Sequence, residues 1–467
     1  MFNLLNIGRS ALLVSEQQIN TTAHNIANIY TPGFSRQRVI QQANTPIGNS
    51  LGNYGTGAEM VRLERMRDQS LDVRYWNANS RLGTWEKSSQ RLSELETNLL
   101  EPGDYGLSAA LNEFWDRWED VADNPDGSPQ RQEVMAAAQK LARAFNNTSN
   151  SITSMRQTVN QDIEAIEVAV NSIGNQLAEL NMQIHLAEGE NRPANDLRDR
   201  FDLLIDELSH YGDTCVQTRQ DGSMVVYFGS DEFVKNDQAR QLTALVRQEG
   251  CCHPAGQQDG DTYLVWNDTR IEVAGLNNGE IIGLAQTRDN MLTSYQANLD
   301  NLATELASQL NEIHRSGYGL GEIPPGGHNF FLIDETDEAA AHIRLNQDLL
   351  NHPEYLAASL TGAVGDNQIA LQIAELRDAV TMDGDQTFSS YFGGLISQVG
   401  SDTAGVKNNT SMHSVLTVQS SNYRESVKGV SLDEESANLI KYQQSFQAAA
   451  KIVALAEDLI QTVINMA

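Results

Sequence analysis

Residues 21–38 read TTAHNIANIYTPGFSRQR. A helix-like run enters Thr31-Pro32-Gly33 and has to stop there. Pro32 disfavours helical geometry at Thr31, and Gly33 permits a sharp turn. The segment before the stop is nearly uncharged: residues 1–35 carry only Arg9 and Glu16 as formal charges. The whole chain of 467 residues holds 62 acidic against 32 basic side chains, a formal net charge of −30. A helix so poor in charge, in so acidic a chain, is not built to be solvated and needs cover on more than one side. Leu5, Leu12, Ile19 and Ile26 recur every seven residues and place an apolar seam along it.

The other end repeats the pattern. Leu432, Leu439, Phe446, Val453 and Ile460 are spaced by seven, and Tyr442, Ala449, Ala456 and Val463 follow three places on. Small residues in that second register let a partner helix approach closely. Residues 442–456 carry only Lys451 as a charge. Isolated helices with so little self-burial are marginal, so the two ends are expected to be poorly ordered in a free monomer and to fold on assembly.

Between the ends lies a helical body. Val159, Ile163, Ile166, Val170, Ile173, Leu177, Leu180 and Ile184 alternate steps of four and three, a long helix whose seam is satisfied within one chain. Leu292, Tyr295, Leu299, Leu302, Leu306 and Ile313 mark another, and two more are expected near 68–98 and 129–152. LSAALNEFWDRWEDVAD (107–123) stacks Leu107, Leu111, Phe114, Trp115, Trp118 and Val121 on one face, which reads as core, before NPDGSP (124–129) breaks the chain. From Thr214 the character changes: TCVQTRQDGSMVVYFGSDEF predicts a hairpin turning at Asp221-Gly222, and TYLVWND (262–268) and TRIEVAG (269–275) alternate as strands. A Pro/Gly loop, GEIPPGGHNFF (321–331), marks another excursion.

The predicted fold is therefore mainly α with an inserted β-rich domain, its long helical, coiled-coil body completed by both chain termini. Terminal polymerisation segments occupy 1–35 and 430–467, the helical body 36–209 and 286–429, and a β-rich outer domain 210–285.

Composition excludes several function classes. The acidic surface repels a phosphate backbone and an anionic membrane alike. No apolar run reaches the length of a membrane span, and the longest early one, Ala11-Leu12-Leu13-Val14, is too short for a cleaved signal peptide. The HExxH, GxSxG and GxxxxGK[ST] patterns are absent, so no catalytic residue and no cofactor site is expected. Cys251-Cys252-His253 falls short of a tetrahedral zinc set, with His314 and His328 far off in sequence, and no metal is expected. Asp259-Gly260-Asp261 and Asp383-Gly384-Asp385 lack the spaced carboxylates of a calcium loop and read as solvated turns. Cys215, Cys251 and Cys252 allow either one bridge or three free thiols. His24 reads as a surface or interface histidine.

ANIYTPGF (27–34) closely resembles the ANxxTPGF/Y signature of the bacterial flagellar axial proteins, the rod, hook and hook-associated proteins, which pair an N-terminal heptad segment with a C-terminal one. TPGFSRQR is similar to the hook-associated members that form the first hook–filament junction. So, in order, are LSAALNEFWDRWEDVADNP with RQEVMAAAQKLARAFN, ANDLRDRFDLLIDELS with the hairpin after it, NGEIIGLAQTRDNML, LNEIHRSGYGL, GDNQIALQIAEL and the final SLDEESANLIKYQQSFQAAAKIVALAEDLIQTVINM. The resemblance thus covers nearly the whole chain.

It implies a structural, non-enzymatic protein that polymerises at the distal end of the hook. The signature residues Asn25, Asn28, Thr31, Pro32, Gly33 and Phe34 would turn the chain outward. Leu5, Leu12, Ile19, Ile26, Leu432, Leu439, Tyr442, Phe446, Val453 and Ile460 would carry assembly. The implied partners are copies of itself, the hook protein, a second junction protein, and an export chaperone on the C-terminal segment. Neither nucleic acid nor membrane is among them. The implied location is extracellular, at the hook–filament junction, reached by flagellar type III export of an unfolded chain without signal cleavage. The rival reading is another axial protein, a hook or distal rod subunit.

Overall fold

A computed structural model describes residues 2–49, 52–99, 103, 106–189, 193–219, 222–248, 254, 257–321, 326–333, 338–382 and 385–466. Helix α1 (Phe2–Ala27) is followed by strands β1 (Gln37–Ala43), β2 (Ile47–Asn49), β3 (Gly52–Tyr54) and β4 (Ala58–Arg65). Next come α2 (Gln69–Asn98), α3 (Leu107–Asp123), α4 (Ser128–Gly189) and α5 (Asn195–Tyr211). The strand region holds β5 (Thr214–Thr218), β6 (Met224–Phe228), β7 (Asp231–Lys235), β8 (Gln238–Ala239), β9 (Leu242–Val246) and β10 (Thr262–Trp266). After α6 (Glu280–Gln286), a π-helical turn leads into α7 (Thr293–Ser316). Short elements follow: β11 (Phe331–Leu332), α8 (Ala339–His342), β12 (Arg344–Leu345), α9 (Gln347–Asn351) and α10 (Gln368–Glu375). Two long helices, α11 (Phe388–Lys428) and α12 (Leu432–Met466), close the chain.

The spine is α4, 62 residues without a break and about 90 Å long. The segments expected at 129–152 and 159–184 are one helix. It serves two cores. Its first half packs with α3, α7, α10 and the start of α11, where Phe114, Trp115, Trp118, Phe330 and Phe331 are all buried. Phe114 meets Trp118 edge-on at 6.4 Å, and Phe330 meets Phe331 edge-on at 4.9 Å. Its second half turns the buried Val159, Ile163, Ile166, Val170, Ile173, Leu177 and Ile184 toward α5 and the strands.

The β-rich region shares this second core with the helices. β5–β8 form an antiparallel meander and β9 pairs with β10. The β5–β6 hairpin appears as expected, with Gly222 at φ +83°; Asp221 of its turn lies outside the described residues. Residues 269–275 are not a regular strand. Arg270 at φ 57° turns the chain back on β10, and only Glu272 bridges to Val265.

Asp261 is no solvated turn residue either. It is 1% exposed and paired with Arg156, which donates from Nε at 2.8 Å, and with Arg288 at 3.6 Å. Asp383, Gly384, Cys251, Cys252, His253 and residues 322–325 of the Pro/Gly loop lie outside the described residues. Cys215 is exposed.

The first core holds a titratable probe. His314, 1% exposed, accepts the Ala357 N–H on Nε2 at 3.0 Å and contacts the His328 carbonyl through Nδ1 at 2.8 Å, so it is neutral. Burial pushes its pKa down to about 4. Between that value and the usual 6.5 the unfolded chain binds a proton that the folded chain refuses. The stabilisation is therefore complete above pH 6.5 and is lost as pH falls toward 4. Comparing wild type with His314→Gln in denaturant unfolding, the wild-type advantage is expected to shrink by about 3 kcal/mol between pH 7 and pH 4. A pH-independent difference would contradict this.

Candidate functional site

The two chain ends come together as an antiparallel helix pair. Asn25 of α1 meets Glu435 of α12, and seventeen residues back along α1, at Gly8, the chain meets Val453, eighteen residues forward along α12. The approach depends on small residues. A Cβ built on Gly8 would sit 2.8 Å from a Val453 methyl. On α12 the residues buried after Glu435 are Ala449 and Ala456, at 3% and 0% exposure. On α1, Gly8, Val14, Ser15, Thr22 and Asn25 are buried. Gly8, Ser15 and Thr22 are spaced by seven, so the seam is lined with small residues from both helices.

The heptad leucines and isoleucines flank this seam. Leu5, Leu12, Ile19, Ile26, Leu439, Tyr442, Val453 and Ile460 are half-buried, and Leu432 and Phe446 are exposed. Sequence reasoning placed Ala449 and Ala456 correctly as close-approach residues and overlooked Gly8, Ser15 and Thr22, whose shared spacing was the available signal. The ends pair with each other within one chain, through the small-residue seam and a polar clamp.

That clamp is built by the signature stretch. Asn28 caps the end of α1 by donating from Nδ2 to the His24 carbonyl at 3.0 Å, and the Thr31 hydroxyl donates to Asn28 Oδ1 at 3.0 Å. The Phe34 N–H then donates to the Thr31 carbonyl at 3.2 Å across Pro32 and Gly33, with Gly33 at φ +78°, the pattern of a type II turn. Leu203 packs under it, 3.2 Å from where a Gly33 Cβ would be. Phe34 sits edge-on to His24 at 5.4 Å.

The chain does not turn outward at once. It doubles back along α1 as the β1–β4 hairpin. Ala58 N–H donates to Ser10 Oγ at 3.3 Å, and Gln18 donates to Gln41 at 3.2 Å.

Asn25 locks this return. Its Oδ1 accepts the Gln37 N–H at 3.0 Å, and its Nδ2 donates to the Gln37 carbonyl at 2.9 Å and to Glu435 Oε2 at 3.1 Å. Glu435, 2% exposed, also accepts from Arg36 Nε at 2.7 Å, and Arg36 Nη1 reaches Glu434 at 2.8 Å. Arg36 N–H donates to the Lys428 carbonyl at 2.9 Å, which fixes the break between α11 and α12. The start of α12, the end of α1 and the root of the hairpin therefore share one buried charged node.

A second network joins this arm to the body. Arg65 pairs with Asp199 at 2.9 Å and Asp202 at 2.7 Å, and Arg67 with Asp72 at 2.6 Å and Asp202 at 2.8 Å. Arg424 pairs with Asp206 at 2.7 Å and lies 3.9 Å over the Tyr75 ring. Burial opposes the Arg67 charge, but Asp202 and Asp72 outweigh it and hold the guanidinium pKa above its ordinary value. Ser35 N–H donates to Asp199 at 2.9 Å, tying the signature turn to the same network.

In one copy the pair leaves much apolar surface uncovered. Leu13, Leu432, Ile440, Leu455, Val463 and Ile464 are 47–60% exposed. Among the described residues no cluster of His, Cys, Asp and Glu could hold a metal ion, and no helix is long and apolar enough to cross a membrane.

A family model described as the flagellar hook-associated protein FlgK helical domain matches residues 92–331. One described as the flagellar basal body rod FlgEFG protein C-terminal matches 426–466, the whole of α12. A relative named flagellar hook-associated protein 1, from Bacillus subtilis, is 30% identical over 99% of this chain and 97% of its own. The chain belongs to the flagellar hook-associated protein 1 family. The Salmonella typhimurium protein of that name is 23% identical over the full length of both chains. The solved flagellar hook junction protein FlgK from Burkholderia pseudomallei shares the fold, with a TM-score of 0.65 and 15% identity over 77% of this chain and all of that one. This family is structural, not enzymatic, and its members are components of the bacterial flagellum.

Removing Arg36 strands the buried Glu435 carboxylate. Arg36→Met is expected to destabilise the folded chain by about 2–4 kcal/mol, and Arg36→Met with Glu435→Leu by less than the single change. Denaturant unfolding of the four chains of the cycle measures this. Strict additivity would show that the node is not coupled.

Proposed function

We propose that the chain polymerises at the distal end of the flagellar hook and forms the junction on which the filament assembles. The observation that carries this reading is the uncovered apolar surface of the terminal helix pair, in a chain of net charge −30. Copies of such a chain repel each other over most of their surface. The paired ends are where apolar faces can meet. Leu5, Leu12, Ile19, Ile26, Leu432, Leu439, Tyr442, Phe446, Val453 and Ile460, half-buried or exposed in one copy, are then the groups completed by neighbours. Residues 1–35 and 430–467 form the polymerising unit, 36–209 and 286–429 the body, and 210–285 the outer region. The β1–β4 hairpin travels with the polymerising unit on which it packs.

The hook protein lies on one side of this ring and a second junction protein on the other. The chain reaches that place through the flagellar type III channel and is extracellular once assembled. Before export, the apolar face of 432–464 is masked by a cytoplasmic chaperone. A chain ending at residue 431 is expected to lose that chaperone in a pull-down, and retained binding would refute the assignment.

Electron microscopy of a strain lacking the gene, with flagellin assayed in the medium, tests the reading. Complete hooks without filaments, and flagellin lost to the medium, are expected. Missing hooks would move the protein to the rod or hook, where α12 also has its likeness. Normal filaments would overturn the structural role.

A further inference from the structure

Helix α11 behaves differently along its two halves. Up to Val406 it is part of the first core, with Phe388, Phe392, Leu395, Val399 and Val406 buried. Beyond Lys407 it buries only Thr417, Arg424 and Lys428, on the side facing α2. Among the rest, the apolar side chains Met412, Val415, Leu416, Val418, Tyr423 and Val427 are exposed, set between Asn, Ser, Thr and Gln. Residues 408–423, NNTSMHSVLTVQSSNY, hold no Asp, Glu, Lys or Arg. Met412 (51%), Leu416 (42%), Tyr423 (55%) and Val427 (36%) are all exposed. Their spacing of i, i+4, i+11 and i+15 puts them within about 60° of one another on the helix and along about 22 Å of it. Val415, 67% exposed, widens the stripe. Elsewhere this chain clothes its outer helix faces with carboxylates: the exposed positions of α3 include Asp116, Glu119 and Asp123.

We propose that this stripe of α11 is a contact between copies of the chain, a second site of self-association outside the terminal segments. The inference rests on the polymerising role above. Two features favour a second copy as the occupant. In a protein of net charge −30, a surface without charge is where another copy can approach without repulsion. The exposed Leu432 of α12 also follows the stripe directly along the chain, just past the short break at 429–431, so the proposed terminal contact and this one are neighbours in sequence. A contact of this kind stiffens the junction, because it holds adjacent subunits by the body as well as by their ends.

The test uses full-length chains carrying a benzophenone amino acid at position 416 or at position 455 of the terminal helix, irradiated in intact flagella and as dilute free chain. Both positions are expected to give adducts of twice the chain's mass in flagella and none in the free chain. An adduct at 455 without one at 416 would overturn the α11 contact and leave the polymerising role standing. An adduct at 416 with a protein of different mass would overturn the second copy as occupant. Loss of self-adducts at both positions would mean that the polymerising role itself has failed, and the α11 contact with it. As a separate measurement, Leu416→Glu is expected to lower the fraction of hooks bearing filaments at least about tenfold while leaving the unfolding transition of the free chain in place. Normal filaments on that variant would overturn the contact.

Discussion

One buried carboxylate organises the arm of this molecule. Glu435 is held by Asn25 and Arg36, and those two residues stand at the end of α1 and the root of the hairpin that follows it. An ionised group so deeply buried is tolerated only with its partners in place. The three segments that supply them are therefore fixed relative to one another. Below this point the small residues of α1 and α12 set the distance between the helices, and the hairpin covers the other side of α1. The result is a stiff unit whose inner contacts are made by Gly, Ser, Thr and Ala and whose larger apolar side chains are left partly free. A self-assembling protein needs such a division, since side chains spent on the inner seam cannot also bind a neighbour.

The rest of the fold transmits this arrangement outward. The aspartates of α5 receive Arg65, Arg67 and Arg424, so the arm is bolted to the body by ion pairs that are largely out of water. From there α4 runs through both cores without a break. A continuous helix of about 90 Å shared by two cores ties them into one stiff body.

Periodicity made the long helices legible: α4, α7 and α12 have apolar residues at steps of three and four, and the structure follows them. Strands β5, β6 and β10 were legible from their alternation and from the turn glycine; β8 and β9 were not marked, and at 269–275 a turn competes with pairing. Helix α11 was missed because much of its second half faces solvent in the single chain. Its Ser, Thr and Asn, with Gly393, Gly394, Gly400 and Gly405, suppress the periodic signal that burial would impose. The β1–β4 hairpin was missed because its strands are largely exposed polar residues such as Gln41, Gln42 and Glu59, held by α1 and not by a core of their own. The signature motif was read as a turn, and it is one. Its polar partners, Gln37 and Glu435, lie too far apart in sequence for spacing to connect them.

The central claim is that the α1–α12 pair formed within one chain is the unit that assembles. Cysteines at positions 8 and 453, placed where the two backbones already meet, would lock that pair through a disulfide in a chain whose three native cysteines are replaced by serine. The oxidised chain, added to cells that display bare hooks, is predicted to restore filament growth as well as the reduced chain does. Restoration only after reduction would show that the pair must open to assemble and would contradict the account.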